Sequence, residues 1–266
     1  MIGRLSLFLL QMKHVALIIF CCFFWFDVFA QIPKAVEDDL FKTLSKIDYW
    51  DNKKSNDTIS GVSDSLESAN DQFEKKLRYN IARYPSSISQ SLKRLGGIVS
   101  GDDSFAIFSW DTMMGGTQHV FETFILYRSG RRTNFVEDTT TDSDGYVYAY
   151  DKLFTLKVGS KKYYLATYYG IFSLHSRGEG IRIFAIEDGK LNTKVKLIKT
   201  RSGLTNKLYY TYNQNLTNSD IMSETTIEYD PGSKTISFPL VSENGRITDS
   251  GITYKFNGQY FEKVKS

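Results

Sequence analysis

The run Trp110-Asp111-Thr112-Met113-Met114-Gly115-Gly116-Thr117-Gln118-His119 sets an indole, a carboxylate, a glycine pair and an imidazole in one connection. Asp111 is a candidate to orient His119 as a general base. Gly115 and Gly116 would let a ligand approach the backbone, and Trp110 would offer it a ring. No nucleophile is marked, since nothing resembles Gly-x-Ser-x-Gly or His-Glu-x-x-His. The competing reading is a turn that needs its glycines for geometry, with His119 continuing the strand face of Phe121, Ile125 and Tyr127.

A second polar, glycine-punctuated stretch, Ser173-Leu174-His175-Ser176-Arg177-Gly178-Glu179-Gly180, supplies His175 and Arg177 as candidate binding groups. If the two connections lie together, Asp111, His119, His175, Arg177 and Glu179 share one cleft. Otherwise they are two unrelated polar loops. Beyond residue 30 only His119 and His175 remain as imidazoles, which leaves one His pair plus carboxylates as the sole histidine-based metal site to weigh, and no metal or cofactor is expected.

Thr140 to Asp151 imitates a calcium loop with Asp142, Asp144, Gly145 and Asp151. It has Thr140 where the first ligand belongs, ends on Asp rather than Glu, and is followed by strands. An acidic hairpin loop is the better account. The paired tyrosines Tyr163-Tyr164, Tyr168-Tyr169 and Tyr209-Tyr210 each put one ring on either side of a strand. Tyr168 and Tyr169 are therefore candidates to stack on sugar rings, against the plainer reading that tyrosine is a good strand former.

The elements that position these groups are mainly strands. Asp188-Gly189 reads as a two-residue hairpin turn that sets Ile186 against Leu191, Phe184 against Thr193 and Arg182 against Val195. Phe184, Ile186, Leu191, Val195 and Leu197 then form one apolar face. Glu187, Lys190, Asn192, Lys194 and Lys196 form a wet one, interrupted by Ile181 and Ile183. Further strands are expected over Phe105–Asp111, His119–Arg128, Lys162–Gly170, Lys207–Asn213, Thr235–Leu240 and Ile247–Phe256. Asn257-Gly258 is a turn signal that places Tyr254 opposite Phe261.

Upstream of Ile98 the period is helical. Val36, Leu40, Leu44 and Ile47 make one stripe, Asp51–Ser60 reads as a solvated linker, and Leu66, Ala69, Phe73, Leu77 and Ile81 make a second stripe. Asp64 and Glu67 have capping-box spacing, Pro85 is a stop, and Ser86 or Ser87 would cap a short third helix closed by Gly96-Gly97. The fold class is thus mainly β, an antiparallel meander, sandwich-like or open-barrel arrangement over residues 98–266. A small helical region covers 31–97.

Val15–Phe26 is an apolar run shorter than the roughly 20 residues of a membrane span, and Val28-Phe29-Ala30 suits a signal peptidase. Residues 1–30 therefore read as a signal peptide, with translation from Met1 or Met12, leaving no transmembrane segment in the mature chain. Both cysteines, Cys21 and Cys22, lie in this leader, which excludes disulfides and cysteine chemistry from the mature protein. The chain carries 33 Lys and Arg against 30 Asp and Glu, too even a balance for a nucleic-acid partner. The expectation is a secreted or periplasmic, non-catalytic binding protein with carbohydrate or an envelope protein as partner. The alternative is a secreted hydrolase centred on Asp111 and His119.

Overall fold

The fold stacks helices on three successive sheets, so that every sheet but the last is buried on both faces. A computed structural model describes residues 32–56, 60–85, 87–130, 132–139, 148–216 and 226–264. The signal-peptide reading and most of the acidic, calcium-like loop fall outside the described residues.

The first helix, α1 (Lys34–Asn56), buries Leu40, Thr43 and Ile47, the face its apolar spacing requires. It also runs through Asp51–Asn56, where a linker is expected. No glycine or proline interrupts that stretch. The side chains of Asn52 and Asn56 donate to the carbonyls of Asp48 and Asn52, each at 2.8 Å, and Lys53 and Lys54 sit at the negative end of the helix dipole. The second helix, α2 (Val62–Arg83), starts after Gly61 at φ +84°, so Asp64 stands in its first turn rather than capping it. The third, α3 (Ile88–Arg94), makes no side-chain cap at Ser87 and closes through Gly97 N–H to the Leu92 carbonyl at 2.8 Å.

The first sheet runs β1 (Ile98–Val99), β2 (Phe105–Asp111), β3 (Phe121–Ser129), β4 (Arg132–Glu137) in chain order. Alternation along β2 sends Ala106, Phe108 and Trp110 against the helices and Phe105 and Ile107 against the second sheet. That second sheet is ordered β11 (Lys207–Asn213), β7 (Ser176–Glu187), β6 (Lys161–Ile171), β5 (Ala149–Val158), with β8 (Lys190–Asn192) paired to the end of β7. Tyr164, Tyr168 and Phe184 face the first sheet, while Leu165, Ile181 and Ile183 face the third.

The third sheet is ordered β10 (Gly203–Thr205), β9 (Ile198–Thr200), β15 (Phe261–Lys263), β14 (Ile247–Phe256), β13 (Thr235–Val241), β12 (Glu228–Asp230). All pairs in the three sheets are antiparallel except β9 with β15, and each sheet is an open path rather than a barrel. Mainly β with a small helical segment is therefore the architecture, in the stacked-sheet form.

The central hairpin has Ile186 paired with Leu191 about a turn in which Asp188 and Gly189 take φ of 50° and 72°. Pairing ends at Asn192, however, so Phe184 does not meet Thr193 and Arg182 does not meet Val195. Asn192 Oδ1 accepts the Lys194 N–H at 2.9 Å and turns the chain toward the third sheet. Val195 and Leu197 then bury beside Ile181 and Ile183, on the face expected to be wet. At the other turn, Phe256 rather than Tyr254 pairs with Phe261, because the Asn257 side chain holds the N–H groups of Gln259 and Tyr260 in a longer loop. The slip is two residues, so each side chain keeps its face.

Candidate functional site

The connection from β2 to β3 is closed at its base by Thr112, whose N–H and hydroxyl both donate to the Val120 carbonyl, at 2.9 and 2.8 Å. Inside it Met113 and Gly116 take positive φ of 57° and 67°. Gly115 has no room for a side chain, since a Cβ there would lie 1.9 Å from the Gln118 carbonyl oxygen. The glycines thus serve the turn geometry, and they also line a cleft.

Within this tight frame Asp111 uses both oxygens. Its Oδ1 accepts the Met113 N–H at 2.9 Å, and its Oδ2 meets Nδ1 of His119. An ionised carboxylate only accepts, so Nδ1 carries the proton and the neutral ring keeps its lone pair on Nε2. The His119 side chain is 34% exposed and that of Asp111 14%, which leaves the ring reachable and its orienting partner sheltered. Phe121 stacks on the far side of the imidazole at 6.1 Å between centroids.

His119 also joins the two polar connections. Its backbone N–H donates to the Ile171 carbonyl at 2.9 Å, so β3 pairing starts at Phe121 rather than His119. The chain after Ile171 makes a turn in which the Ser173 hydroxyl oxygen accepts the N–H groups of His175 and Ser176, at 3.2 and 3.1 Å. Between the two loops lies a cleft of about 600 Å³. Asp111, Gly115, Gly116 and His119 line one side, and Leu174, Arg177 and Gln214 the other. The last turns of α1 close it with Asp51, Lys54 and Ser55.

The charges in the cleft are mixed. Lys54 reaches the Met113 carbonyl at 3.4 Å, and Arg177 donates through Nε to the Gln214 side chain. Burial raises the carboxyl of Asp48, one turn back on α1, and the charges of Asp51 and Asp111 raise it further. Burial likewise raises the Tyr169 phenol, with Asp151 and Asp111 adding to the effect. One strongly exposed apolar side chain, Leu174 at 68%, lines the cleft among these polar groups.

Sequence-derived candidates divide accordingly. Asp111, Gly115, Gly116, His119 and Arg177 come together. His175 stands on the same turn, exposed, hydrogen-bonded to the Asn215 side chain at 2.6 Å. Tyr169 is half-buried against Phe121 at 5.5 Å, behind the pair.

Three groups are not available to a ligand. Trp110 points to the opposite face of β2 from Asp111 and buries against α2, its indole N–H directed at Asn70 Oδ1 at 3.3 Å. Tyr168 is buried between the first two sheets with Tyr148, Tyr150 and Tyr209, so it offers no ring face to a sugar. Glu179 is buried two residues further along β7 than Arg177 and does not line the cleft; its carboxylate accepts from Tyr210 Oη and Tyr212 Oη at 2.8 Å each and from the N–H and hydroxyl of Thr226 at 2.7 and 2.8 Å. It is a structural clasp between β7, β11 and the chain entering β12.

Asp51, Lys54 and Ser55 escape a sequence reading that treats them as linker. The missed signal is the absence of any helix breaker before Gly61. Among the described residues no group of three His, Cys, Asp or Glu side chains is placed to hold a metal ion. No known protein family, characterised protein or solved structure matches the chain.

Proposed function

We propose that this protein is an exported binding protein of the cell envelope or extracellular space, and that its ligand occupies the cleft between the two loops. The observation that carries the reading is the oriented Asp111–His119 pair, held at a polar cleft that the exposed Leu174 also lines. A solvent-reachable, carboxylate-fixed imidazole with a free Nε2 is a directional hydrogen-bonding group. Leu174, exposed in the same cleft, adds apolar contact area. A polar cleft with an exposed leucine suits a segment of another envelope protein better than a sugar, which would want an aromatic platform. Export rests on the apolar leader and its Val-x-Ala end.

The second reading is a hydrolase in which His119 activates water. It is favoured by the same Asp111–His119 hydrogen bond. Ser55, Thr117 and Ser173 also line the cleft, but none hydrogen-bonds the His119 ring among the described residues. Amide hydrogen exchange with and without a proteolytic digest of envelope proteins separates the outcomes. Protection confined to Thr112–Val120 and Ile171–Arg177 supports binding in the cleft, and protection absent there rejects it. Turnover of an ester, amide or glycoside substrate that disappears in His119→Ala would establish the hydrolase instead.

A further inference from the structure

A different face of α1 carries a second, chemically distinct groove. Between α1 and α2 lies a space of about 490 Å³, walled on one side by Lys46, Tyr49 and Trp50. The spacing of these three puts them on one helix face. The opposing α2 face presents Ser65, Ser68 and Ala69, whose short side chains leave the space open, with Asp64 and Gln72 toward its ends.

The aromatic pair is open to solvent on its tyrosine side. Tyr49 is 53% exposed and meets Trp50 edge to face, with centroids 5.1 Å apart and ring planes at 77°. Trp50 is half-buried, and its indole N–H has no acceptor among the described residues. Lys46 and Asp64 likewise form no hydrogen bond or ion pair there. Gln72 donates to the Ser68 hydroxyl at 3.1 Å, which leaves its amide oxygen as an acceptor.

We propose that this groove binds a neutral saccharide. A pyranose presents apolar C–H faces to an aromatic ring and a belt of hydroxyls that both donate and accept. The exposed Tyr49, with the half-buried Trp50 beside it, supplies the ring surface. Asp64 and the Gln72 oxygen accept, the Trp50 N–H and Lys46 donate, and the single positive and negative charges cancel, which favours an uncharged ligand. The groove shares no lining residue with the His119 cleft, so this inference stands independently of the function proposed for that cleft.

The test titrates the purified protein with cellohexaose, maltohexaose, chitohexaose and xylohexaose while following intrinsic tryptophan fluorescence. The protein used lacks residues 1–30 and with them Trp25; of the two remaining tryptophans Trp50 is half-buried in the groove and Trp110 is buried in the core, so a ligand-induced change reports on Trp50. At least one oligosaccharide is expected to give a saturable change. Tyr49→Ala should weaken its binding at least about tenfold, measured by calorimetry, and Trp50→Phe should remove the fluorescence change. Tyr49 is exposed enough that its variant folds, which keeps the test meaningful should Trp50→Phe lose structure. His119→Ala should bind the sugar as wild type does. No saturable change with any of the four, or undiminished affinity in Tyr49→Ala, overturns the proposal. So does binding lost in His119→Ala but kept in Tyr49→Ala, which would place the sugar in the cleft.

Discussion

His119 is held to Asp111 through its ring Nδ1 and to Ile171 through its backbone N–H, so one residue fixes both the orientation of the imidazole and the meeting of the two loops. Asp111 in turn spends its other oxygen on the Met113 N–H at 2.9 Å. The pair is therefore part of the loop's own construction as well as the feature presented to the cleft.

That double duty separates the two residues energetically. Asp111→Ala unpairs the Met113 N–H and frees the ring, and should cost about 1–3 kcal/mol. His119→Ala leaves both the backbone bond to Ile171 and the Asp111–Met113 turn intact, and should cost about 1 kcal/mol or less. Urea melts of the two variants check the order, and a larger loss for His119→Ala would contradict it.

Phe184 is fully buried between the first two sheets, 5.5 Å from Phe105 and 6.0 Å from Tyr150 between ring centroids, with the Arg182 guanidinium 4.8 Å above its ring. Phe184→Ala should cost about 3–5 kcal/mol through lost burial and a cavity. Lys194→Ala, on the exposed side of the crossing to the third sheet, should stay within roughly 0.5 kcal/mol of wild type. Denaturant melts with the reverse order would contradict the layer assignment.

Much of this was legible in the residues, and the gaps have physical causes. Phe105–Asp111, Lys207–Asn213 and Ile247–Phe256 read as strands to their last residue, because alternation and flanking turns agree there. The Asp188-Gly189 turn is local chemistry, and so is its Ile186–Leu191 pair. What a period of two cannot say is how many layers cover a strand. Ile181 and Ile183 look like interruptions of a wet face, yet they are the face buried by the third sheet. Tyr168 looks like a surface ring for the same reason. The cleft was half legible, since Asp111 and His119 stand eight residues apart in one loop. Its α1 wall was hidden by the polar composition of Asp51–Asn56, which suits an exposed helix end as well as a linker.

The buried Glu179 clasp predicts a large cost. Glu179→Leu strands the Tyr212 hydroxyl and the Thr226 N–H without an acceptor and leaves Tyr210 only the Thr226 hydroxyl, and should destabilise by about 3 kcal/mol or more. Glu179→Gln keeps part of the acceptor set and should lose less. Equal melts for wild type and Glu179→Leu would contradict the clasp.

Burial, with Glu74 and Asp71 nearby and Arg78 opposing, raises the Glu122 carboxyl from the ordinary 4.5 to about 6. A raised acid binds its proton more tightly in the folded state, so its contribution to stability falls as pH rises from 4.5 to about 6 and stays lost above that. Glu122→Gln should flatten that slope and be the more stable protein above pH 6, by less than about 1 kcal/mol after solvent screening. Stability measured across this range in both proteins checks it, and an unchanged slope in the variant would contradict the assignment.

The cleft's role is tested most directly by a photo-crosslinking residue placed at Leu174 in the producing cells. Leu174 is 68% exposed on the cleft rim, whereas Leu240, 40% exposed on β13 of the third sheet, serves as the control. The account predicts a discrete adduct with another envelope protein at Leu174, none at Leu240, and loss of the Leu174 adduct when His119→Ala is added. No adduct at Leu174, or one that persists undiminished in His119→Ala, would contradict it.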